Sequence, residues 1–199
     1  MGQRLAGLAV VVGGALLALN YLFWTGNGLA PDRINAAPDG PAGMLVLVTI
    51  GLGTLLLTLG MPTLMQRQYR RLTHTGVFGG WLLVFGFLLW AVGALAGPSI
   101  LVFPWWLGEA DQVMVTVGSV LFGVASYRAG VLPRGAALVV AICGLLGLLP
   151  SALPDLLFFL AGIDLNPGAA FRVLGFVALL LFGLGWVRLG YAVWRPSQG

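Results

Sequence analysis

Six apolar stretches, each roughly 20 residues long, take up most of this chain and are separated by short polar or turn-forming segments. They cover residues 5–24, 43–65, 76–97, 112–130, 135–149 and 170–194. The fifth stretch either stops before Pro150 or continues through the prolines to Leu160. Because about 20 apolar residues in a helix cross the hydrocarbon core of a bilayer, the pattern predicts an all-α, polytopic membrane bundle of six transmembrane helices. We expect one transmembrane domain over residues 1–199.

The composition excludes a water-soluble fold. Only 8% of the residues are charged and 59% are hydrophobic, with a mean hydropathy of +1.00. A soluble domain has roughly 25% charged residues, which cover its surface. This chain has too few, so an integral membrane protein without a separate soluble domain is expected.

The charges divide between the two ends of the predicted spans. Eight of the ten basic residues fall on one face: Arg4, Arg67, Arg70, Arg71, Arg128, Arg134, Arg188 and Arg195. All six acids fall on the other, together with Arg33 and Arg172: Asp32, Asp39, Glu109, Asp111, Asp155 and Asp164. Arginine-rich loops stay in the cytoplasm, which predicts that both termini are cytoplasmic. Topology thus explains the net charge of +4, and no nucleic-acid partner is expected.

The residue inventory disfavours most membrane enzymes. The chain has no lysine for a Schiff base, a single histidine (His74), and a single cysteine (Cys143) within an apolar run. Bis-histidine haem ligation, a disulfide within the chain and a CxxC redox pair are therefore excluded. We predict no metal, no cofactor and no catalytic residue.

Span three has glycines at a strict seven-residue spacing. Gly79, Gly86 and Gly93 fall on one helix face, and Gly97 adds a GxxxG step. Small residues let helix backbones approach closely in a bilayer. We predict that span three is central and that a neighbouring helix lies along these glycines. A neighbour from the same chain is favoured over a homodimer face.

The acid-bearing face contains aromatic and turn-forming residues. Pro104 and two tryptophans predict a short interfacial segment over residues 100–107, before loop acids at 109 and 111. A second such segment begins at Pro150, where Asp155 is expected to cap a short helix over 156–161 and to pair with Arg172. The candidate outer-face binding cleft consists of Trp105, Trp106, Glu109, Asp111, Asp155 and Arg172. The alternative is an ordinary aromatic belt with loop acids.

The arginine-bearing loops are candidate contacts to anionic membrane lipids on the cytoplasmic side. The residues concerned are Arg67, Arg70, Arg71, Arg128 and Arg134. The alternative is that they determine topology and do nothing further. Span two has hydroxyl groups at Thr54 and Thr58, which fall on one helix face. Cysteine labelling at these two positions would test whether a transport path passes them.

The turn before span five reads Tyr127-Arg128-Ala129-Gly130-Val131-Leu132-Pro133-Arg134-Gly135. With the stretch 66–80 and the Phe103-Pro104-Trp105-Trp106-Leu107 loop, it resembles small six-span bacterial membrane proteins of unknown function, of the DUF4386-like kind with an R-x-G-x-L-P-R inner turn. The resemblance implies a six-span fold and a bacterial inner-membrane location. It carries no catalytic residues.

Three functions remain open at this stage. The leading hypothesis is a non-catalytic binding or accessory subunit for a lipid-like ligand or a larger membrane complex. Its partners would be membrane lipids and either a membrane-protein partner or further copies of the chain. The alternative is a small transporter or facilitator for a neutral or amphiphilic solute. An enzyme is ranked third. Its best available site would be the acids of the outer face, and these have no histidine beside them.

Overall fold

The computed structural model describes residues 2–27, 41–100, 105–161 and 169–195, with side chains described for 2–22, 44–95, 110–147 and 174–195. These residues form six α-helices and no strand, which confirms the predicted all-α class. The helices are α1 (Gln3–Asn27), α2 (Pro41–Gln68), α3 (His74–Ile100), α4 (Trp105–Ala129), α5 (Arg134–Ala161) and α6 (Ala169–Trp194).

Five of these helices contain described segments long and apolar enough to cross a membrane. The segments are Gln3–Leu22, Met44–Gln68, His74–Leu95, Ala110–Ala129 and Leu174–Trp194. In α5 the described part of this kind, Arg134–Gly147, is shorter. The fold is therefore an apolar helical bundle of the kind that integral membrane proteins form.

The six helices close into an antiparallel ring in chain order. Each packs against the helices before and after it, and α6 returns to pack along α1. The direction is clear at this closing interface, where Gly7 lies against Trp194 and Gly14 lies against Gly183. Within the described part of the chain no helix occupies the middle, so the prediction that span three is central is wrong. The reason is that every helix, and not only α3, has glycines at which a neighbouring helix of the ring packs closely.

The ring has two chemically different ends. The arginine end is where α2 ends at Gln68, α4 ends at Ala129 and α5 begins at Arg134. Two short turns close it, 69–73 and 130–133; the first ends with the Thr73 hydroxyl accepting a hydrogen bond from Gly76 N–H at 3.3 Å, a helix N-cap. The acid end is the opposite one, where α4 begins and where α1 and α5 end.

Two predictions about the acid end are wrong. The helix α5 is continuous from Arg134 to Ala161, through Pro150 and Pro154, so Asp155 does not cap a separate short helix. Within a bundle, neighbouring helices can compensate for the backbone hydrogen bond that a proline removes. Likewise α4 begins at Trp105, so Glu109 and Asp111 belong to its first turns rather than to a loop.

Aromatic side chains fill the middle of the ring. Trp186 of α6 is fully buried and stacks on Phe122 of α4, with ring centroids 6.2 Å apart. It meets Phe87 of α3 and Phe182 of its own helix edge-on, each at 5.8 Å. We call these four residues the aromatic plug. They connect α6 with α3 and α4, which are not its neighbours in the ring.

Candidate functional site

Asp111 lies inside the bundle at the acid end. It is six residues into α4, or about 9 Å from the start of the helix, and only 7% of its surface is exposed. Val115 and Phe122, spaced at four and eleven positions from it, are fully buried on the same helix face. The carboxylate therefore belongs to the face that α4 presents to the bundle.

Tyr21 of α1 brings a hydroxyl group to the same end of the ring. It is 6% exposed, and it interacts electrostatically with Asp111. The helices α1 and α4 are not neighbours in the ring, so this interaction extends across its interior. A carboxylate and a phenol are thus both buried at the acid end, where lipid and water have little access.

Asn20, next to Tyr21, joins α1 to α2. Its Nδ2 donates to the carbonyl oxygen of Val46 at 3.0 Å and to Oγ1 of Thr49 at 2.9 Å. Only 3% of Asn20 is exposed, and its Oδ1 has no hydrogen-bond partner. A buried amide oxygen without a donor is uncommon, and it leaves one acceptor open at this end of the bundle.

Two further polar atoms on α4 have no partner. Oε1 of Gln112 and Oγ1 of Thr116 are both buried and make no hydrogen bond. These residues precede Ser119 by seven and three positions, and Ser119 packs against Gly144 of α5. The open acceptors therefore lie on the α5 side of α4. We call Asn20, Tyr21, Asp111, Gln112 and Thr116 the acid-end polar cluster.

The other residues of the predicted cleft can be placed by backbone only. Trp105, Trp106 and Glu109 lie in the first turns of α4, while Asp155 lies near the end of α5 and Arg172 near the start of α6. All five are therefore at the acid end. Their side chains, and the predicted pairing of Asp155 with Arg172, lie outside the described residues.

The predicted glycine positions on α3 differ in their surroundings. A Cβ built on Gly79 would come within 2.7 Å of the Phe122 backbone nitrogen, and one on Gly86 within 2.8 Å of Val115, both in α4. Gly93 has nothing within 4 Å, and the surroundings of Gly97 lie outside the description. The helices α3 and α4 thus approach closely only towards the arginine end.

Three of the predicted lipid-contact arginines line a cavity of about 500 Å³ at the arginine end. Arg67 also donates to the carbonyl oxygen of Ala192 in α6 at 3.0 Å, which ties α2 to the last helix. Arg128 and Arg134 are exposed beside the second turn and are not among the lining residues. The lining consists of Gln66, Arg67, Gln68, Arg70, Arg71 and Val131.

Sequence reasoning missed Asn20 and Tyr21 as site residues, because they form part of an aromatic-rich sequence typical of a membrane interface. A signal was present nonetheless. An asparagine inside an otherwise apolar helix generally hydrogen-bonds to another helix, and Asn20 does so. Among the described residues, no three histidine, cysteine, aspartate or glutamate side chains are grouped closely enough to hold a metal ion.

Fold and geometry thus define an apolar helical bundle with a buried acidic residue at one end and an arginine-lined cavity at the other. No family model matches the chain, and it has no significant match among curated proteins or solved structures.

Proposed function

We propose that all six helices cross the membrane, with the arginine end in the cytoplasm, in the inner membrane of a bacterium. The positive-inside rule supports this orientation, since eight of the ten arginines belong to that end and the acids to the other. The helix α5 has 28 residues, about 42 Å, which is long enough to span the bilayer. Both termini are then cytoplasmic.

We propose further that the protein is a non-catalytic binding protein for a lipid-like ligand, whose polar head enters the acid-end polar cluster. One observation carries this proposal: Asp111 is 7% exposed inside the bundle, near Tyr21. Ionisable residues inside membrane bundles are costly and generally serve a site. The unpartnered Oε1 of Gln112 and Oγ1 of Thr116, four residues apart on α4, match a head group that donates hydrogen bonds, such as a hydroxyl or an ammonium group.

The position of the cluster suits an amphiphile. The cluster lies roughly two helical turns inside the acid end, and the acyl part of a ligand would lie among apolar side chains towards the bilayer. Trp105 and Trp106 at the start of α4 suit the headgroup level, where tryptophan is enriched. The first turns of α4, with Asp155 and Arg172, would form the rim of the cleft.

Native mass spectrometry of gently extracted protein tests this function. We expect the wild type to retain a stoichiometric lipid-like mass and the Asp111→Asn variant to retain it about tenfold less, because a charge-assisted hydrogen bond is lost. Asp111→Glu, which keeps the carboxylate, is the control, and it should retain more of the ligand than Asp111→Asn does. Equal retention by Asp111→Asn and the wild type would refute the proposal. A stoichiometric protein partner without a lipid mass would instead indicate an accessory subunit.

A facilitator is the second candidate, favoured by buried polar atoms without partners at the arginine end as well. These are Oε1 of Gln68, Oγ of Ser126 and Nε1 of Trp186. Gln68 and Ser126 are closer to the arginine end than the aromatic plug, the acid-end polar cluster is on its other side, and Nε1 of Trp186 belongs to the plug itself. A solute would have to displace the plug in order to cross.

Cysteine labelling at Thr54 distinguishes binding from transport. Thr54 is fully buried, and its hydroxyl donates to the carbonyl oxygen of Ile50 at 2.9 Å, within its own helix. In a Cys143→Ala background, we expect Thr54→Cys to resist a membrane-impermeant thiol reagent, whereas the exposed control Gln66→Cys reacts fully. Labelling of both positions at similar rates would reveal a water path through the ring and favour the facilitator.

A further inference from the structure

The arginine end contains a cavity of about 500 Å³ formed by two separate parts of the chain. Five lining residues, 66–68 with 70 and 71, come from the end of α2 and the turn that follows it. Val131 comes from the turn between α4 and α5. Because α2 and α4 are separated by α3 in the ring, the cavity requires the assembled bundle. We call it the arginine pocket.

The arginine pocket has no acidic residue to balance its charge. Arg67, Arg70 and Arg71 are all exposed to the aqueous side of this end. The acids within the described helices, Glu109, Asp111 and Asp155, lie at the acid end, a helix length away. No acidic residue is among the residues that line the pocket, and the three guanidinium groups create a positive potential there that attracts anions.

Gln68 adds a buried hydrogen-bonding group to this charge. It continues the fully buried face of α2 that includes Leu57, Met61 and Leu64, and it is 1% exposed. Its Nε2 lies 3.5 Å from the carbonyl oxygen of Leu64, a long hydrogen bond, and its Oε1 has no partner at all. Gln68 is among the residues that line the pocket, and its buried amide has an unused acceptor and a weakly used donor.

Guanidinium groups bind phosphate oxygens through paired N–H donors, and the volume falls within the range of small-molecule sites. The unpartnered Oε1 of Gln68 can accept a hydrogen bond, which a hydroxyl group on the same ligand donates and ionised phosphate oxygens do not. We propose that the arginine pocket binds a phosphate ester that carries a hydroxyl group. The phosphate lies on Arg70 and Arg71, and the hydroxyl donates to Gln68 Oε1.

Two sources offer this chemistry: the glycerol headgroup of phosphatidylglycerol and soluble glycerol phosphate. The test is a titration of the purified full-length protein with short-chain phosphatidylglycerol, followed by native mass spectrometry in a neutral detergent. We expect one equivalent to bind about tenfold more tightly than phosphatidylcholine, which has no hydroxyl group on its headgroup. Competition by soluble glycerol phosphate at similar concentration would identify a soluble ligand, and its failure to compete would identify the lipid. Both outcomes support the proposed chemistry.

Variants of the pocket make the test specific. The double variant Arg70→Gln with Arg71→Gln should weaken binding of phosphatidylglycerol about tenfold or more. The double variant Arg70→Lys with Arg71→Lys should have an intermediate affinity, because lysine keeps the charge but loses the planar fork. Arg67 is left unchanged because it bonds α6. The matched control, Arg4→Gln with Arg188→Gln, removes two exposed arginines outside the pocket and should stay within about twofold of the wild type.

Gln68→Leu separates the hydroxyl contact from the phosphate contact. It should weaken phosphatidylglycerol severalfold yet leave phosphatidic acid, which lacks the headgroup hydroxyls, unchanged. All variants must elute from size-exclusion chromatography and melt as the wild type does. If the double glutamine variant does not, the double lysine variant is used in its place. Equal loss in the control pair would mean diffuse surface attraction. That outcome, or unchanged binding in the Arg70 and Arg71 variants, would overturn the proposal.

Discussion

Replacing Gly14 by leucine is expected to abolish the folded, monodisperse protein. Gly14 lies where α1 crosses α6, and a Cβ on it would come within 2.7 Å of the Gly183 carbonyl oxygen and 2.8 Å of the Val187 nitrogen. These are backbone atoms, so no side-chain rotation can relieve the clash and the two helices must separate. Even Gly14→Ala should cost roughly 1–3 kcal/mol, the usual penalty for overpacking.

Gly93 provides the matched control on another helix. Nothing lies within 4 Å of a Cβ at this position, so Gly93→Ala should be neutral or stabilise the helix by up to about 1 kcal/mol. Thermal unfolding and size-exclusion chromatography in a neutral detergent measure both substitutions. Gly14→Ala should lower the melting temperature, and Gly93→Ala should leave it unchanged or raise it. Equal melting of the two alanine variants would contradict close packing of α1 on α6.

Trp186→Ala is expected to have the second largest effect. The indole is fully buried in the aromatic plug and contacts three other rings from α3, α4 and α6. Its removal leaves a cavity that neighbouring helices cannot fill, and such truncations cost about 3–5 kcal/mol. The variant should melt at markedly lower temperature than the wild type in the same detergent.

Two further substitutions show whether this loss comes from the plug. Trp186→Phe keeps an aromatic ring, and because Nε1 of Trp186 has no hydrogen-bond partner, the loss of the N–H group itself has no cost. It should therefore destabilise much less than alanine. Trp81→Ala removes a 46% exposed tryptophan on α3 and should be nearly neutral. A loss at Trp81 as large as that at Trp186 would contradict a central role for the plug.

Hydropathy predicted the helices well because the membrane environment acts on each segment separately. A run of apolar residues must satisfy its backbone hydrogen bonds internally, so it becomes a helix whatever its neighbours do. Five of the six predicted stretches lie wholly within one described helix, and the stretch 112–130 extends one residue beyond α4, which ends at Ala129. The sequence left open whether the fifth span stops before Pro150 or continues to Leu160, and the helix continues to Ala161. The separate short helix expected at 156–161 is part of α5, because the rule that proline ends a helix holds less strictly inside a bundle.

The site was predicted in part. Asp111 was recognised as a candidate from its charge, but it was expected in a loop, and Tyr21 was not connected with it. Their proximity depends on α1 and α4 facing each other across a ring, which no spacing along the chain indicates. The orientation in the membrane and the crossing of all six helices remain predictions.

The glycine repeats show the same limit to what spacing along the chain can predict. Seven-residue repeats occur on α1 (Gly7 and Gly14) and on α6 (Gly183 and Gly190), and the sequence contains them as plainly as the repeat on α3. These two pairs lie against each other and bring the first and last helices into close backbone contact. A repeat identifies a face that can pack closely, whereas the choice of partner depends on which faces meet.

Local apolar runs, turn residues and the separation of arginines from acids therefore determine the helices and the two unlike ends, because each follows from the solvation of a segment by itself. The tertiary structure alone decides that the helices close into a ring, that four aromatic rings fill its middle, and that Asp111 and Tyr21 are both buried inside it. Those features depend on contacts between residues far apart in the chain, whose energies arise only when the helices have packed.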